Sequence, residues 1–170
     1  MKRPLVLALP SIRQGRNRFQ FELEPGELGL DEHEVTENPL FRELVGAVRL
    51  DLAVTRSGQR LLIEGRVTFR AKLDCAICGC GFEADFDEPV AAEFVDAEAG
   101  GGEGRELDQT EIDRTPLCGD QLDLTRLVHD AVHLAVPIAP ACRPDCLGVC
   151  AHCGANLNDG PCSCPAEPVG

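Results

Sequence analysis

Between residues 48 and 95 hydrophobic and polar positions alternate with a period of two. Val48, Leu50, Leu52 and Val54 are interleaved with Arg49, Asp51 and Ala53, which predicts a half-buried strand. Ser57-Gly58 then supplies a turn. A second strand carries Leu61, Ile63, Val67, Phe69, Ala71 and Leu73 on one face and Arg60, Glu64, Arg66, Thr68, Arg70 and Lys72 on the other. A third sets Phe82, Ala84 and Phe86 against Glu83, Asp85 and Asp87. The chain must reverse between Cys75 and Cys80, so segments 60–74 and 82–95 form an antiparallel hairpin with a cysteine-bearing tip. Symmetric closure about that tip places Lys72 opposite Glu83 and Arg70 opposite Asp85. Opposite charges across strands are stabilising pairs, so the basic stripe of Arg66, Arg70 and Lys72 is largely neutralised by its neighbour.

Past residue 123 the period becomes helical. Asp123 is a good N-cap for a helix from about Leu124 to Ala135. Leu124, Leu127, Val128, Ala131, Leu134 and Ala135 are expected to form its apolar stripe. Pro137 stops the helix, and Pro140 keeps the next segment extended. His129 and His133 stand four apart and fall on the expected polar side. With Asp130 where a metalloprotease helix has Glu, they read as a surface pair. The expected fold class is therefore α+β and β-rich: an antiparallel sheet or partly closed barrel with one main helix.

Composition narrows the function classes. The 170 residues are 44% hydrophobic and 26% charged, as in a globular chain. Phe supplies every aromatic residue, with no Trp or Tyr, which weakens any reading based on stacking platforms for single-stranded nucleic acid. A net charge of −13 argues against polyanion binding by the whole surface. The charge is uneven: Lys2, Arg3, Arg13, Arg16 and Arg18 lie in the first twenty residues with no acid among them. The stretch 96–116, with Gly100-Gly101-Gly102 inside it, reads as a long acidic loop. No apolar run approaches the roughly 18 residues of a membrane span, and Leu5–Leu9 is too short for a signal-peptide core. A cytoplasmic protein is expected.

Ten cysteines then change the picture, because in a reducing compartment close cysteine pairs are metal ligands or redox groups rather than structural disulfides. Cys75-Ala76-Ile77-Cys78-Gly79 and Cys150-Ala151-His152-Cys153-Gly154 repeat one pattern. Two intervening residues let both sulfurs face one ion, and the glycine after the second cysteine permits the positive φ of a tight turn. Cys142 and Cys146, and Cys162 and Cys164, are two further pairs. Eight thiolates suit two tetrahedral four-cysteine zinc sites, two ions per chain. The preferred partition joins Cys75 and Cys78 to Cys142 and Cys146, which would pin the helix exit onto the sheet. Cys150, Cys153, Cys162 and Cys164 then form a C-terminal zinc knuckle, with Asn158-Asp159-Gly160 as its reversal. A second partition makes one site of Cys142, Cys146, Cys150 and Cys153 and leaves the other pairs to meet across space. Cys80 and Cys118 are left over. These considerations divide the chain into a β-rich domain, 1–141, and a cysteine-rich metal-binding segment, 142–170.

Rival chemistries have weaker support. Cys146, Cys150 and Cys153 match the spacing that holds an iron–sulfur cluster in radical enzymes using S-adenosylmethionine, but those need a barrel downstream of the motif. Another iron–sulfur centre, or thiol redox exchange, is the alternative function, although neither C-x-x-C lies in a βαβ pattern. Four sulfurs leave no position for a water on the ion. No nucleophile meets a base, and no Gly-rich phosphate loop appears, so a non-enzyme without a small-molecule substrate is expected.

The strand ending in Leu73-Asp74-Cys75-Ala76-Ile77-Cys78 resembles the bacterial YceD family, the large ribosomal RNA subunit accumulation proteins. So do Leu122-Asp123-Leu124, His133-Leu134-Ala135-Val136-Pro137-Ile138-Ala139-Pro140, and the run Cys146-Leu147-Gly148-Val149-Cys150-Ala151-His152-Cys153-Gly154-Ala155-Asn156-Leu157-Asn158. Two departures stand out: Ala76-Ile77 replaces a pair that usually includes Arg, and Ala151 stands where many members have Pro. The resemblance favours the first cysteine partition, since members with fewer tail cysteines keep the hairpin pair. It implies a factor needed for large-subunit (23S) ribosomal RNA accumulation and ribosome biogenesis. Its partner would be an rRNA precursor or a basic ribosomal protein. Against so acidic a chain, RNA docking would be local, with Arg13, Arg16 and Arg18 and the terminal knuckle as candidates.

Overall fold

The computed structural model describes residues 5–28, 38–96, 114–117 and 119–164. Among these residues eight strands and one α-helix are formed: β1 (Val6–Ala8), β2 (Gly15–Leu23), β3 (Phe41–Leu44), β4 (Val48–Ser57), β5 (Arg60–Asp74), β6 (Gly81–Asp96), β7 (Arg114–Leu117), β8 (Gln121–Asp123) and α1 (Thr125–Ala135). The order across the main sheet is β2-β4-β5-β6-β7, and β3 pairs with the far end of β5. It curls into a half-barrel. All of its pairings are antiparallel except β6 with β7, which run parallel. β1 and β8 form a separate two-stranded ribbon that leads into the helix.

Alternation explains the long strands. In β5, Leu61, Ile63, Val67, Phe69, Ala71 and Leu73 are all buried, as their parity requires. The β5–β6 register sets Arg70 against Asp85 and Lys72 against Glu83, the closure expected from the symmetric tip. The ion pairs then choose partners by reach. Arg70 Nε meets Asp85 Oδ1 at 2.7 Å and Arg66 Nε meets Asp87 Oδ1 at 2.5 Å. Lys72 turns instead to Glu43 of β3 at 3.5 Å, and Glu83 is reached by Arg70 at 3.9 Å. The stripe is thus internally paired, and exposed pairs of this kind add little to stability because water and salt screen them.

The helix packs its Leu124–Val128–Val132 line against β5 and β6. This corrects the expected stripe: Leu134 is 81% exposed, while Val132 is fully buried. The cause is angular, since Leu134 lies two residues, about 200°, beyond Val132 on a 3.6-residue helix. Asp123 does cap the first turn, with Oδ1 accepting from Thr125 N–H at 2.9 Å, although Leu124 occupies the N-cap position itself. His129 and His133 stack at 6.1 Å between ring centroids. Both are half-buried rather than on an open polar face. Of the expected acidic loop 96–116, the two ends belong to β6 and β7, and residues 97–113 lie outside the described residues.

Gly65 interrupts the inward row of β5 opposite Leu52. A Cβ there would lie 2.2 Å from Asp51 O and 2.9 Å from Leu52 Cα. Only glycine allows β4 and β5 to approach so closely in the curled sheet. Backbone cannot move aside as a rotamer can, so Gly65→Ala should cost about 1–3 kcal/mol of overpacking strain. A lower denaturant midpoint with unchanged slope is the expected result. Wild-type stability would show that the close approach carries no strain.

Candidate metal centres

The hairpin tip and the tail fold into two copies of one turn. Cys75 N–H donates to Cys80 O at 2.9 Å and Gly79 N–H donates to Cys75 O at 2.8 Å. In the tail, Cys150 N–H donates to Ala155 O and Gly154 N–H to Cys150 O, both at 2.8 Å. Gly79 and Gly154 have φ of 73° and 71°, the left-handed conformation that the sequence pattern requires. Each turn points both sulfurs and several backbone N–H groups to one side.

The sulfur atoms of Cys75, Cys78, Cys142 and Cys146 all lie within 4.8 Å of one another, and so do those of Cys150, Cys153, Cys162 and Cys164. The alternative set of Cys142, Cys146, Cys150 and Cys153 is not such a group. Cys75 and Cys146 are 3.8 Å apart, as are Cys78 and Cys142; Cys150 and Cys162 are 3.4 Å apart. A tetrahedral ion with metal–sulfur bonds of about 2.3 Å holds its sulfurs about 3.8 Å apart. Disulfide sulfurs would lie about 2.05 Å apart, and the nine described cysteines are free thiols. Two clusters of four sulfurs therefore could each hold one metal ion. The iron–sulfur spacing Cys146, Cys150, Cys153 is divided between the two clusters, which disfavours a cluster on those three.

The elements that bring the first set together are the β5–β6 tip and the segment after α1. Ala76 N–H donates to Pro140 O at 2.7 Å and Cys142 N–H donates to Cys75 Sγ at 3.3 Å. These bonds tie the helix exit to the hairpin. Backbone donors also set the charge on sulfur. At Cys75 burial raises the thiol pKa, but the N–H groups of Cys142, Cys78 and Ile77 overcome it and bring it down to about 6. At Cys150 the N–H groups of Cys153 and His152, together with Cys162, likewise lower it to about 6. Cys146 is lowered first by the Asn158 amide. Their neighbours go the other way, since sulfurs this close cannot all ionise without a cation. Burial and then the sulfurs of Cys146 and Cys75 push Cys142 up. Cys164 is pushed up to about 12 by Cys153 and by burial.

Other sequence candidates fall elsewhere. Cys80 is exposed beside the first cluster and accepts from Asn156 Nδ2 at 3.1 Å; Cys118 lies outside the described residues. Arg16 and Arg18 are on β2, at the outer edge of the main sheet, and Arg13 precedes it. Sequence reasoning passed over Asn156 and Asn158 as site residues. Their side chains reach Cys80 and Cys146, and the Asn-Leu-Asn run flanking a cysteine pair was the available signal.

The family model described as large ribosomal RNA subunit accumulation protein YceD matches residues 63–169. The chain is similar to an uncharacterised protein of Mycobacterium tuberculosis, 31% identical over 112 residues, covering 66% of this chain and 52% of the relative. It is also similar to the large ribosomal RNA subunit accumulation protein YCED homolog 1, chloroplastic, of Zea mays. That match is 28% identical over 146 residues, covering 72% of this chain and 50% of the plant protein. The chain thus spans about half the length of these relatives. No solved structure matches. Among the described residues, no helix is long and apolar enough to cross a membrane.

A metal ion must expel the protons its thiolates carry. Above about pH 6, Cys75 and Cys150 are already thiolates; below it, each adds one proton to be displaced. The logarithm of apparent metal affinity should therefore rise with pH throughout, with a steeper slope below about 6 than above. Competition against a chelator at several pH values measures this. A slope that does not steepen on the acid side would refute the assignment of pre-ionised thiols.

Proposed function

The chain belongs to the YceD family, and on that premise we propose that it is a non-enzymatic zinc-binding factor. It supports accumulation of large-subunit ribosomal RNA, and so assembly of the large subunit, by binding an rRNA precursor in the cytoplasm. The observation that carries the zinc reading is the pair of four-sulfur clusters with edges near 3.8 Å. Zinc fits better than a harder ion because thiolates are soft ligands. Four sulfurs complete its shell, so the metal organises a surface and leaves no open position for hydrolysis. Residues 142–170 act as the metal-binding segment, docked on the β-rich domain 1–141.

Arg13, Arg16 and Arg18 are the RNA contacts in this reading. Arg42, Arg49, Arg60, Arg66, Arg70, Lys72, Arg126 and Arg143 pair with acids. Arg56 donates to the carbonyls of Leu9 and Ile12. Asn17 bonds the backbone of Arg13, but among the described residues no such partner engages the guanidinium groups of Arg13, Arg16 or Arg18. A local cluster of uncommitted guanidinium groups is what phosphate contacts need on a chain of net charge −13.

Reduced protein purified without chelators should contain two zinc ions per chain, one for each cluster, and be colourless. Cys75→Ser should lose one of them. Brown protein containing iron and sulfide would replace this reading with an iron–sulfur one. Arg16→Glu with Arg18→Glu should weaken binding to a large-subunit rRNA precursor. The dependence of log affinity on log salt should flatten by about 0.7–0.9 per lost phosphate contact. Unchanged affinity and slope would turn the search to a basic ribosomal protein as partner.

A further inference from the structure

Asn158 lies between Cys153 and Cys162, inside the loop that the second sulfur cluster closes, yet its side chain works at the first. Asn158 Nδ2 donates to Cys146 Sγ at 3.4 Å and to Asn156 Oδ1 at 2.8 Å. Its Oδ1 accepts from Leu147 N–H at 2.9 Å and from Arg143 Nε at 3.2 Å. The amide therefore fills both donor and both acceptor positions it possesses. The Leu147 N–H can only meet an oxygen, which fixes which end of the amide faces the sulfur. Asn156 completes the relay: its Oδ1 also accepts from Asn158 N–H at 3.0 Å, and its Nδ2 reaches Cys80 at the hairpin tip.

Among the described residues of the loop that presents these amides, none belongs to the buried apolar core, so short-range hydrogen bonds hold it. A short ladder, Cys150 N–H to Ala155 O and Leu157 N–H to Gly148 O at 2.9 Å, gives it a base, and the four cysteines of the second cluster close it. An ion held by Cys150, Cys153, Cys162 and Cys164 would fix both ends of the segment 153–162. A donor aimed at a ligating sulfur stabilises the thiolate and orients it for the metal.

We infer that the two centres load cooperatively, with Asn158 as the positioning residue through which a filled second centre strengthens the first. The inference rests on the reading that both clusters bind zinc. Coupling between two binding events is reciprocal, so emptying either centre must weaken the other by the same factor.

The test uses the full reduced chain and zinc, with affinities from competition against a chelator. Cys162→Ser with Cys164→Ser empties the second centre, and zinc affinity at the first should fall about 10- to 100-fold. Cys75→Ser with Cys78→Ser should weaken the second centre equally. Asn158→Asp keeps all eight thiols and the acceptor for Leu147 and Arg143, but removes the donor. It should lower first-centre affinity by a comparable factor, and add nothing once the second centre is empty. Circular dichroism of the sheet, whose core lies outside the loop, checks that each variant is folded. Wild-type zinc affinity at the first centre in Cys162→Ser with Cys164→Ser would overturn the coupling, and wild-type affinities in Asn158→Asp would overturn the role of Asn158; either result leaves the zinc reading standing. A folded wild-type chain that binds no zinc would overturn both.

Discussion

Mutual repulsion of crowded thiolates is the constraint on which the segment after Pro140 depends. Among the described residues beyond Pro140, no apolar side chain is buried, so the hydrophobic effect that organises the sheet does not reach them. What brings the tail to the hairpin is sulfur and the hydrogen bonds that surround it. Backbone N–H groups favour one thiolate in each turn, while proximity keeps protons on others. Such a site is half prepared for a dication.

The rest of the molecule serves to deliver one of the sulfur pairs. β5 and β6 are the longest strands, and their tip carries Cys75 and Cys78, both buried. The hairpin they form is restrained along its edges by β4 and β3 on one side and β7 on the other, and its two faces are tied down as well. Here one face is packed by Leu61, Ile63, Val67 and Phe69, and Phe69 stacks on Phe86 at 4.8 Å between centroids. The other face is laced by Arg66–Asp87 and Arg70–Asp85. The tip accordingly meets the chain leaving α1, whose Leu124–Val132 face is fixed on the same strands.

Much of this was legible in the residues. Period-two alternation marked β4, β5 and β6, and the symmetry of the tip fixed the register of Arg70 with Asp85. The repeated C-x-x-C-G pattern carried the turn conformation, because only glycine takes the required φ without strain. What escaped were features set by distant contacts. β7 has four residues and β8 three, too few for periodicity to declare itself. The parallel pairing of β7 with β6 depends on tertiary packing. Leu134 and Val132 are both apolar, and only the direction in which the helix meets the sheet decides which is buried. Asn156 and Asn158 resembled ordinary turn residues, and their reach toward sulfur became visible once the tail was folded back on the hairpin.

Among the described residues β2 ends the main sheet, and its outer side presents backbone donors and acceptors that another extended chain could pair with. Arg16, Arg18 and Glu22 point outward along that strand, while Phe19 and Phe21 pack against the core. Charged side chains on a free edge discourage intruding strands. The arginines read above as phosphate contacts are thus also charges that an intruding strand would have to desolvate, and exchanging Arg16 and Arg18 for Glu reverses the sign of that barrier without removing it.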